Sequence, residues 1–518
     1  MNFKCFLVIA ICITITNGYK ILFLAPFVWK SHFLFMSEFV KTLVDRQHEV
    51  TYLTSNSLKH LNLPNYTEVL IEPPFDMESI GSQEKWLEMA GSSTFMRINS
   101  FNFLSKSWTT HAFSNLNVQK LIHSTGLHFD LIINEEWWAD SFLMFAHKFK
   151  APIITICPVG IPDFIDRQQG LFTPLSIVPH WALPFSDNMS FYERWFNAIL
   201  STYDWAVREF SYLPTAEEHT RKYFAHLAPL PSLNDILRNV SMVLVNTHRA
   251  LSPPRPSMPN VVNIGGAHIK PSKLLPEDIQ KFIDEAKHGV IYFSIGSILQ
   301  SSRLPEEKLQ AFLETFRKLK QRVLWKFEKE SLINVPSNVL IRNWFPQNDI
   351  LSHSNVILYI THGGLFGTSE SLYHGVPLLF IPFSLYQFMN ANRIKTEGYG
   401  QVLLFNDITK ESFSKAVNEI LSDMSYLSKA KETSAIFKDN LVHPMDEAMF
   451  WIEHVCKFKG AKHLKSHAVN MTWFSYLLFD VLFINAIILF TVIAVVYVLV
   501  KSLCSKQKNR QESGKKQK

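Results

Sequence analysis

Short, uniformly apolar runs alternate with longer amphipathic stretches through most of this 518-residue chain, and that alternation narrows the fold more than any other feature. The runs fall at 19–24, 49–53, 129–133, 152–156 and 242–246, then at 290–293, 323–327, 356–360 and 377–381. They are rich in Val, Ile and Phe without polar alternation, as strands buried on both faces of a parallel sheet are. Helical stretches lie between them, at 31–47, 139–149, 306–319 and 368–373. Strand alternating with helix predicts α/β architecture, here two doubly wound units. The segment 251–259 contains four prolines and can continue neither a helix nor a central strand, so it marks a linker between the units.

The two ends carry membrane signals. Lys4, the apolar stretch 5–15 and Thr16-Asn17-Gly18 form the charged, greasy and small-residue parts of a secretory signal over 1–18. A second apolar segment, 481–500, is long enough to cross a bilayer as a helix. Trp473 and Tyr476 precede it at interface depth, and seven Lys or Arg follow within 501–518 against the single acid Glu512. A positive flank belongs on the cytosolic side, which puts the bulk of the chain across the membrane from it. The terminal Lys515-Lys516-Gln517-Lys518 reads as a dilysine retrieval signal. The expected address is the endoplasmic reticulum membrane: single-pass, type I, with the folded domains in the lumen.

The rest of the composition fits that address. The net charge of +6 sits largely in the tail and forms no basic stripe, so nucleic acid is not an expected partner. Only Cys157 and Cys456 remain on the lumenal side, too few for a disulfide scaffold. Sequons at Asn65, Asn188 and Asn239 are open to glycosylation there, whereas that at Asn470 is too near the membrane.

Open parallel sheets bind ligands at the carboxyl ends of their strands. Four chemically unusual segments follow such ends: Ser31-His32, Glu135-Glu136, Ser294–Ser297 and Thr361–Gly364. If the two sheets face each other, all four border one cleft. The His362-Gly363-Gly364 turn leads into a helix near Gly367, and a helix amino end favours an anion such as a diphosphate. Ser297 offers a hydroxyl towards the same anion. The loop Asn343-Trp344-Phe345-Pro346-Gln347 holds an indole that can stack on a flat base and an amide that can bind ribose or base edges.

Residues 359–387 read YITHGGLFGTSESLYHGVPLLFIPFSLYQ. This block resembles the signature of the UDP-glycosyltransferases, with its His, paired Gly, Glu, Pro and Gln at that family's spacings. The likeness extends from Ile21 to the tail, takes in 260–269, 343–349 and 443–447, and is nearest to membrane-bound insect members. The resemblance implies a GT-B fold of two Rossmann-like domains: an acceptor-binding domain at 19–250, a linker at 251–270 and a UDP-sugar-binding domain at 271–442. A helical segment at 443–472 then leads to a membrane helix at 473–500 and a basic cytosolic tail at 501–518.

The resemblance also implies roles. Trp344 stacks on uracil and Gln347 contacts the nucleoside; Glu370 holds ribose hydroxyls; Ser297, His362, Gly363 and Gly364 meet the diphosphate; Gln387 touches the sugar. The family has Asp or Glu immediately before that Gln, where this chain has Tyr386. A phenol cannot supply a bidentate carboxylate, so the identity of the sugar is left open at that position.

Transfer to a hydroxyl needs a base near neutral pH, and His suits that task. His32, behind Ser31 as a helix cap, matches the family's catalytic His, and Glu135 aligns with the Asp that orients it. Glu136 and Asp140 are the alternatives for that role. The expected enzyme is an inverting hexosyltransferase that moves glucose from UDP-glucose onto a hydroxyl of a small lipophilic acceptor. Two stretches dense in Phe and Trp, 75–127 and 164–205, are expected to shape the acceptor pocket. No Asp-x-Asp occurs, so neither a metal nor a cofactor beyond the UDP-sugar co-substrate is expected. The bilayer is a further partner, and a homo- or heterodimer is left open. The competing reading is a transferase-fold protein that binds lipophiles or pairs with active relatives without turnover.

Overall fold

The computed structural model describes residues 18–72, 83, 88, 91–297, 299–329 and 332–515. The signal sequence up to Asn17 and the last three residues of the dilysine-like end therefore lie outside the described residues, as do most of 73–90. Residues up to Lys465 form one compact unit, and Ser466–Lys518 form a second.

The larger unit holds two fully parallel sheets. The first has seven strands in the order β3-β2-β1-β4-β5-β6-β7. These are β1 Lys20–Ala25, β2 Glu49–Thr54, β3 Tyr66–Leu70, β4 Leu131–Glu135, β5 Ile153–Cys157, β6 Met242–Val245 and β7 Val261–Asn263. The second has six strands in the order β10-β9-β8-β11-β12-β13. These are β8 Val290–Ser294, β9 Arg322–Lys326, β10 Val339–Arg342, β11 Val356–Thr361, β12 Leu378–Phe380 and β13 Gly400–Val402.

The interior strands of each sheet are dry on both faces. Along β1, Leu22 and Leu24 enter one core cluster while Ile21 and Phe23 enter another. In the second sheet Phe293 and Trp325 pack on one side, and Tyr292 and Leu324 on the other. Such double burial is what forbids polar alternation in these strands. All the sequence-predicted strands are present, with ends shifted by one or two residues. The proline-rich linker segment is followed directly by β7, so the 251–270 stretch contributes the seventh strand of the first sheet.

Six helices bear on the site, its supporting core and the membrane segment. Helix α1, Lys30–Asp45, buries Phe35, Met36, Phe39, Val40, Leu43 and Val44 on one face, each worth about 1.5–3 kcal/mol. Its N-cap is Trp29, without a side-chain cap bond, so Ser31 lies in the first turn and is not the cap the sequence predicts. Helix α2, Thr94–Ser114, is capped by Ser93. Helix α3, Leu365–His374, has Gly364 as its N-cap, begins two residues before the expected point, and ends at Gly375 in the left-handed region. Helix α4, Leu385–Glu397, opens with a capping box between Ser384 and Gln387.

Helix α5, Pro444–Lys457, returns to the first sheet and buries Met445, Met449 and Ile452 in the core that also holds Ile21 and Phe23. Arg46 ties it there through Asp446 at 2.9 Å and Glu453 at 3.1 Å. In the smaller unit, Trp473–Tyr476 is a separate turn of helix, and Leu478 adopts φ 59°, outside the helical region. Helix α6, Phe479–Lys515, therefore begins later than the predicted span at 473. Its segment Phe479–Gln507, with mean hydropathy 2.8, is long and apolar enough to cross a membrane.

Candidate active site

The carboxyl ends of β1, β8 and β11 open on one cleft of about 370 Å³, and Trp137, just beyond β4, lines it too. His32 stands in its wall, projected by the first turn of α1 directly after β1. Its Nδ1 lies 2.6 Å from Oε1 of Glu135, the last residue of β4, and the imidazole and the carboxylate are almost fully buried. Glu135 itself sits behind the wall, so the pair presents only the imidazole to the cleft. Rings of Trp29 at 5.0 Å, Trp137 at 5.9 Å and Phe366 at 5.9 Å face His32 edge-on. Phe366 comes from α3, so an aromatic from the second domain closes over the histidine.

The three candidate acids differ in their contacts. Asp140 is taken by Arg208 at 2.5 Å, with both side chains buried. Glu136 makes no contact with His32; one carboxylate oxygen has no partner, and burial drives its pKa well above the ordinary value. Glu135 alone reaches the imidazole. Trp138 takes φ 59° between them, an uncommon backbone for a bulky residue. Trp138 packs on Tyr212 while Trp137 lines the cleft.

Across the cleft stand Ser297, Trp344, Gln347, His362, Gly364, Glu370, Tyr386 and Gln387; Gly363 is not part of the wall. At Gly363, φ is +85° and an added Cβ would meet the Phe380 ring at 2.8 Å. Gly296 and Gly364 are bare for another reason: a Cβ on either would strike the His362 ring, at 2.5 and 2.6 Å. The glycines thus make room for that imidazole, whose pKa burial and then Lys326 push down to about 4. It is neutral at physiological pH and sits beside the amino end of α3.

Gln347 accepts from the Tyr359 hydroxyl at 2.9 Å and donates to Oε2 of Glu370 at 2.5 Å. Burial raises the Glu370 carboxyl to about 7. Trp344 is 45% exposed, and the Lys30 ammonium of α1 lies 3.7 Å from its ring centroid. Gln387 accepts from the backbone N–H of Phe383 and Ser384 at 2.8 and 3.1 Å, which fixes the start of α4. Tyr386 reaches back to the first domain, its ring 6.4 Å from that of Trp137. Burial pushes its hydroxyl up to about 12, against a hydrogen bond with Gln387.

Several lining residues were not singled out from sequence: Trp29, Trp137, His268, Lys326, Phe366 and Ser384. The aromatic density at 164–205 does not line the cleft; Trp181 stands behind it, 6.1 Å from Trp137. Of the described part of 75–127, Phe101 of α2 reaches the wall. The glycosylation candidates Asn65, Asn188 and Asn239 are all exposed.

The comparison that decides the family covers nearly the whole chain: a model of the UDP-glucoronosyl and UDP-glucosyl transferases matches residues 20–517. The chain belongs to that family. UDP-glycosyltransferase UGT5 of Dactylopius coccus is 36% identical over 510 residues, covering 97% of this chain and 95% of the relative. UDP-glucosyltransferase 2 of the same insect is 34% identical, covering 91% of each. Human UDP-glucuronosyltransferase 1A8 is 29% identical over 89% of this chain and 87% of its own. Among solved structures, the glycosyltransferase VinC in complex with dTDP superposes with a TM-score of 0.59 at 14% identity, over 85% of this chain and all of that one. CalG4, the calicheamicin glycosyltransferase, gives 0.55 at 14% identity over 85% of this chain. The fold of this UDP-glycosyltransferase is therefore GT-B.

Proposed function

We propose that this enzyme transfers glucose from UDP-glucose onto a hydroxyl of a small lipophilic acceptor, with His32 as general base and inversion at the anomeric carbon. The observation that carries the reading is the buried 2.6 Å contact between His32 and Glu135 on the cleft wall opposite the proposed nucleotide site. Glu135 accepts a hydrogen bond from Nδ1–H, which fixes the tautomer and leaves Nε2 free to take the acceptor's proton. The acceptor oxygen attacks the anomeric carbon as the bond to the β-phosphate oxygen breaks, and UDP departs. Ser297 and His362, with the amino end of α3, stabilise the diphosphate charge that grows in that step. No metal is needed for this chemistry.

Glucose is favoured by the relative named for it. Lys326, the one lysine or arginine in the cleft wall among the described residues, is already paired with Glu328 at 2.6 Å, which leaves that wall little charge for a hexuronate. Tyr386 with Gln387 then contacts the sugar. The aromatic wall of Trp29, Phe101, Trp137 and Phe366 suits a lipophilic acceptor. The apolar stretch of helix α6 and the basic residues that follow that stretch support anchoring in the endoplasmic reticulum with the catalytic domains lumenal, where exposed Asn65, Asn188 and Asn239 carry glycans. One observation favours the second reading, a binder without turnover: Tyr386 puts a phenol where the resemblance calls for a carboxylate.

Two binding experiments test the nucleotide side. Trp344→Ala should weaken UDP about five- to 150-fold by calorimetry, since base stacking is worth about 1–3 kcal/mol. Unchanged affinity would remove Trp344 from the base site. A ribose hydroxyl that donates to Glu370 favours its ionised form, and the free carboxyl titrates at about 7. Affinity is then full above that pH and falls as pH drops through it, by about tenfold at pH 6. Glu370→Gln should lose this component, leaving only the titration of the nucleotide's own phosphate.

A further inference from the structure

His268 stands out because it is nine-tenths buried, lines the cleft, and makes no well-formed hydrogen bond from either ring nitrogen, the Phe366 backbone being a polar group beside it. A buried polar group left unbonded costs about 1–3 kcal/mol, so its persistence asks for an explanation. The ring is also tightly held. It lies edge-on to Phe35 of α1 at 5.6 Å and to Phe366 of α3 at 5.5 Å, one from each domain.

The backbone that carries it is just as constrained. Gly265 follows β7 so closely that a Cβ would meet the Thr247 carbonyl at 2.5 Å. Gly266 has φ +88° and lies under the Phe437 ring. The Ile269 carbonyl accepts from His443 at 3.2 Å, and Lys270 pairs with Glu38. The turn 264–270 is thus built to hold one imidazole rigidly between the domains.

What that imidazole faces is Glu370. Nε2 is 3.8 Å from Oε1, too long for a direct hydrogen bond, while the other oxygen of the carboxylate is occupied by Gln347. An oxygen placed about 2.8 Å from each would bridge them. Burial lowers the His268 pKa to about 4, so the ring is neutral and can donate from Nε2. A hydroxyl completes the arrangement: it accepts from His268 and donates to Glu370.

From this geometry we infer that His268 is a nucleotide-binding residue that shares one ribose hydroxyl of the UDP moiety with Glu370 and sets the preference for ribonucleotides. The inference rests on the ribose role proposed for Glu370. It makes the turn after the first sheet a direct sensor of the donor, since the first domain's last strand leads straight into it.

The test compares UDP, 2′-deoxy-UDP and 3′-deoxy-UDP binding to the purified full-length protein. Wild type should prefer UDP over one of the two deoxy analogues by at least about tenfold. His268→Leu should weaken UDP by about tenfold, leave that analogue nearly unchanged, and so collapse the preference. His268→Gln, which keeps an N–H at that reach, should recover part of it. Should the Leu variant not fold, the same collapse is expected in His268→Asn, whose amide ends short of Glu370. A preference retained in folded His268 variants but lost in Glu370→Ala overturns the inference and leaves the donor site standing. A preference absent from wild type, or retained in Glu370→Ala, overturns the ribose reading of the site as well.

Discussion

Replacing His32 by alanine is expected to lower turnover at neutral pH by about 10²–10⁴-fold, the span a positioned general base contributes. UDP affinity should change little, because Trp344, Gln347, His362 and Glu370, the residues proposed to hold the nucleotide, lie on the other domain, which meets the histidine through the Phe366 ring. Glu135→Gln should lose a comparable factor for a different reason. The amide can stay within hydrogen-bond reach of Nδ1, but it can donate there and so favour the wrong tautomer. It also removes the charge that stabilises the imidazolium. Rates normalised to UDP-binding sites separate this chemistry from misfolding. A His32→Ala enzyme with wild-type turnover would mean that the proton leaves by another route.

The second large effect is structural. Arg208→Met should destabilise the first domain by about 3–5 kcal/mol, read as a fall in its urea midpoint, because Asp140 is then left charged and buried. Arg208 sits on a π-helical turn, Arg208–Tyr212, against the Phe164 ring at 3.9 Å. The same turn holds the loop after β4 a second way, with the Tyr212 hydroxyl accepting from the Asp140 N–H at 3.0 Å. Ser105 of α2 adds a third tie by donating to the Trp138 carbonyl at 2.8 Å. That loop carries Trp137 into the cleft and begins at Glu135, so turnover should fall together with stability. Combining Arg208→Met with Asp140→Leu should restore much of the stability, since an apolar pair costs little where an ion pair is dry. If Arg208→Met alone unfolds at the wild-type midpoint, the pair is not holding the loop.

Which strands the sequence revealed depends on where they lie. The four it did not reveal, β3, β7, β10 and β13, are the four sheet edges. An edge strand is half-wet and short, so Tyr66–Leu70 admits Thr67 and Glu68, and Gly400–Val402 admits a glycine and Gln401. The uniform apolar run that betrays an interior strand is therefore missing from them. β10 ends on Arg342 for the same reason.

The site divides in a similar way. Residues on strand ends and tight turns, such as His32, Ser297 and His362, could be placed at a cleft from sequence because their positions are local consequences of strand and helix, while their roles rest on the family resemblance. The choice of Glu135 over Glu136 and Asp140 was not local. It depends on Arg208, which neutralises Asp140 from 68 positions along the chain. His268 and Phe366 gained meaning only when the two domains brought Phe35, His32 and Glu370 around them. A buried imidazole with idle nitrogens leaves no trace in periodicity or composition.

The central claim, sugar transfer through the His32–Glu135 pair, is tested most directly by product formation in microsomes expressing the full-length chain. UDP-glucose, UDP-galactose and UDP-glucuronate would be offered with a panel of phenols and lipophilic alcohols, and glycoside and UDP would be followed together. The account predicts glycoside formation with inverted anomeric configuration, fastest from UDP-glucose, and its loss in His32→Ala. UDP binding with no transfer from any donor would contradict it, and would mark Tyr386 as the point where a donor-binding fold gave up turnover.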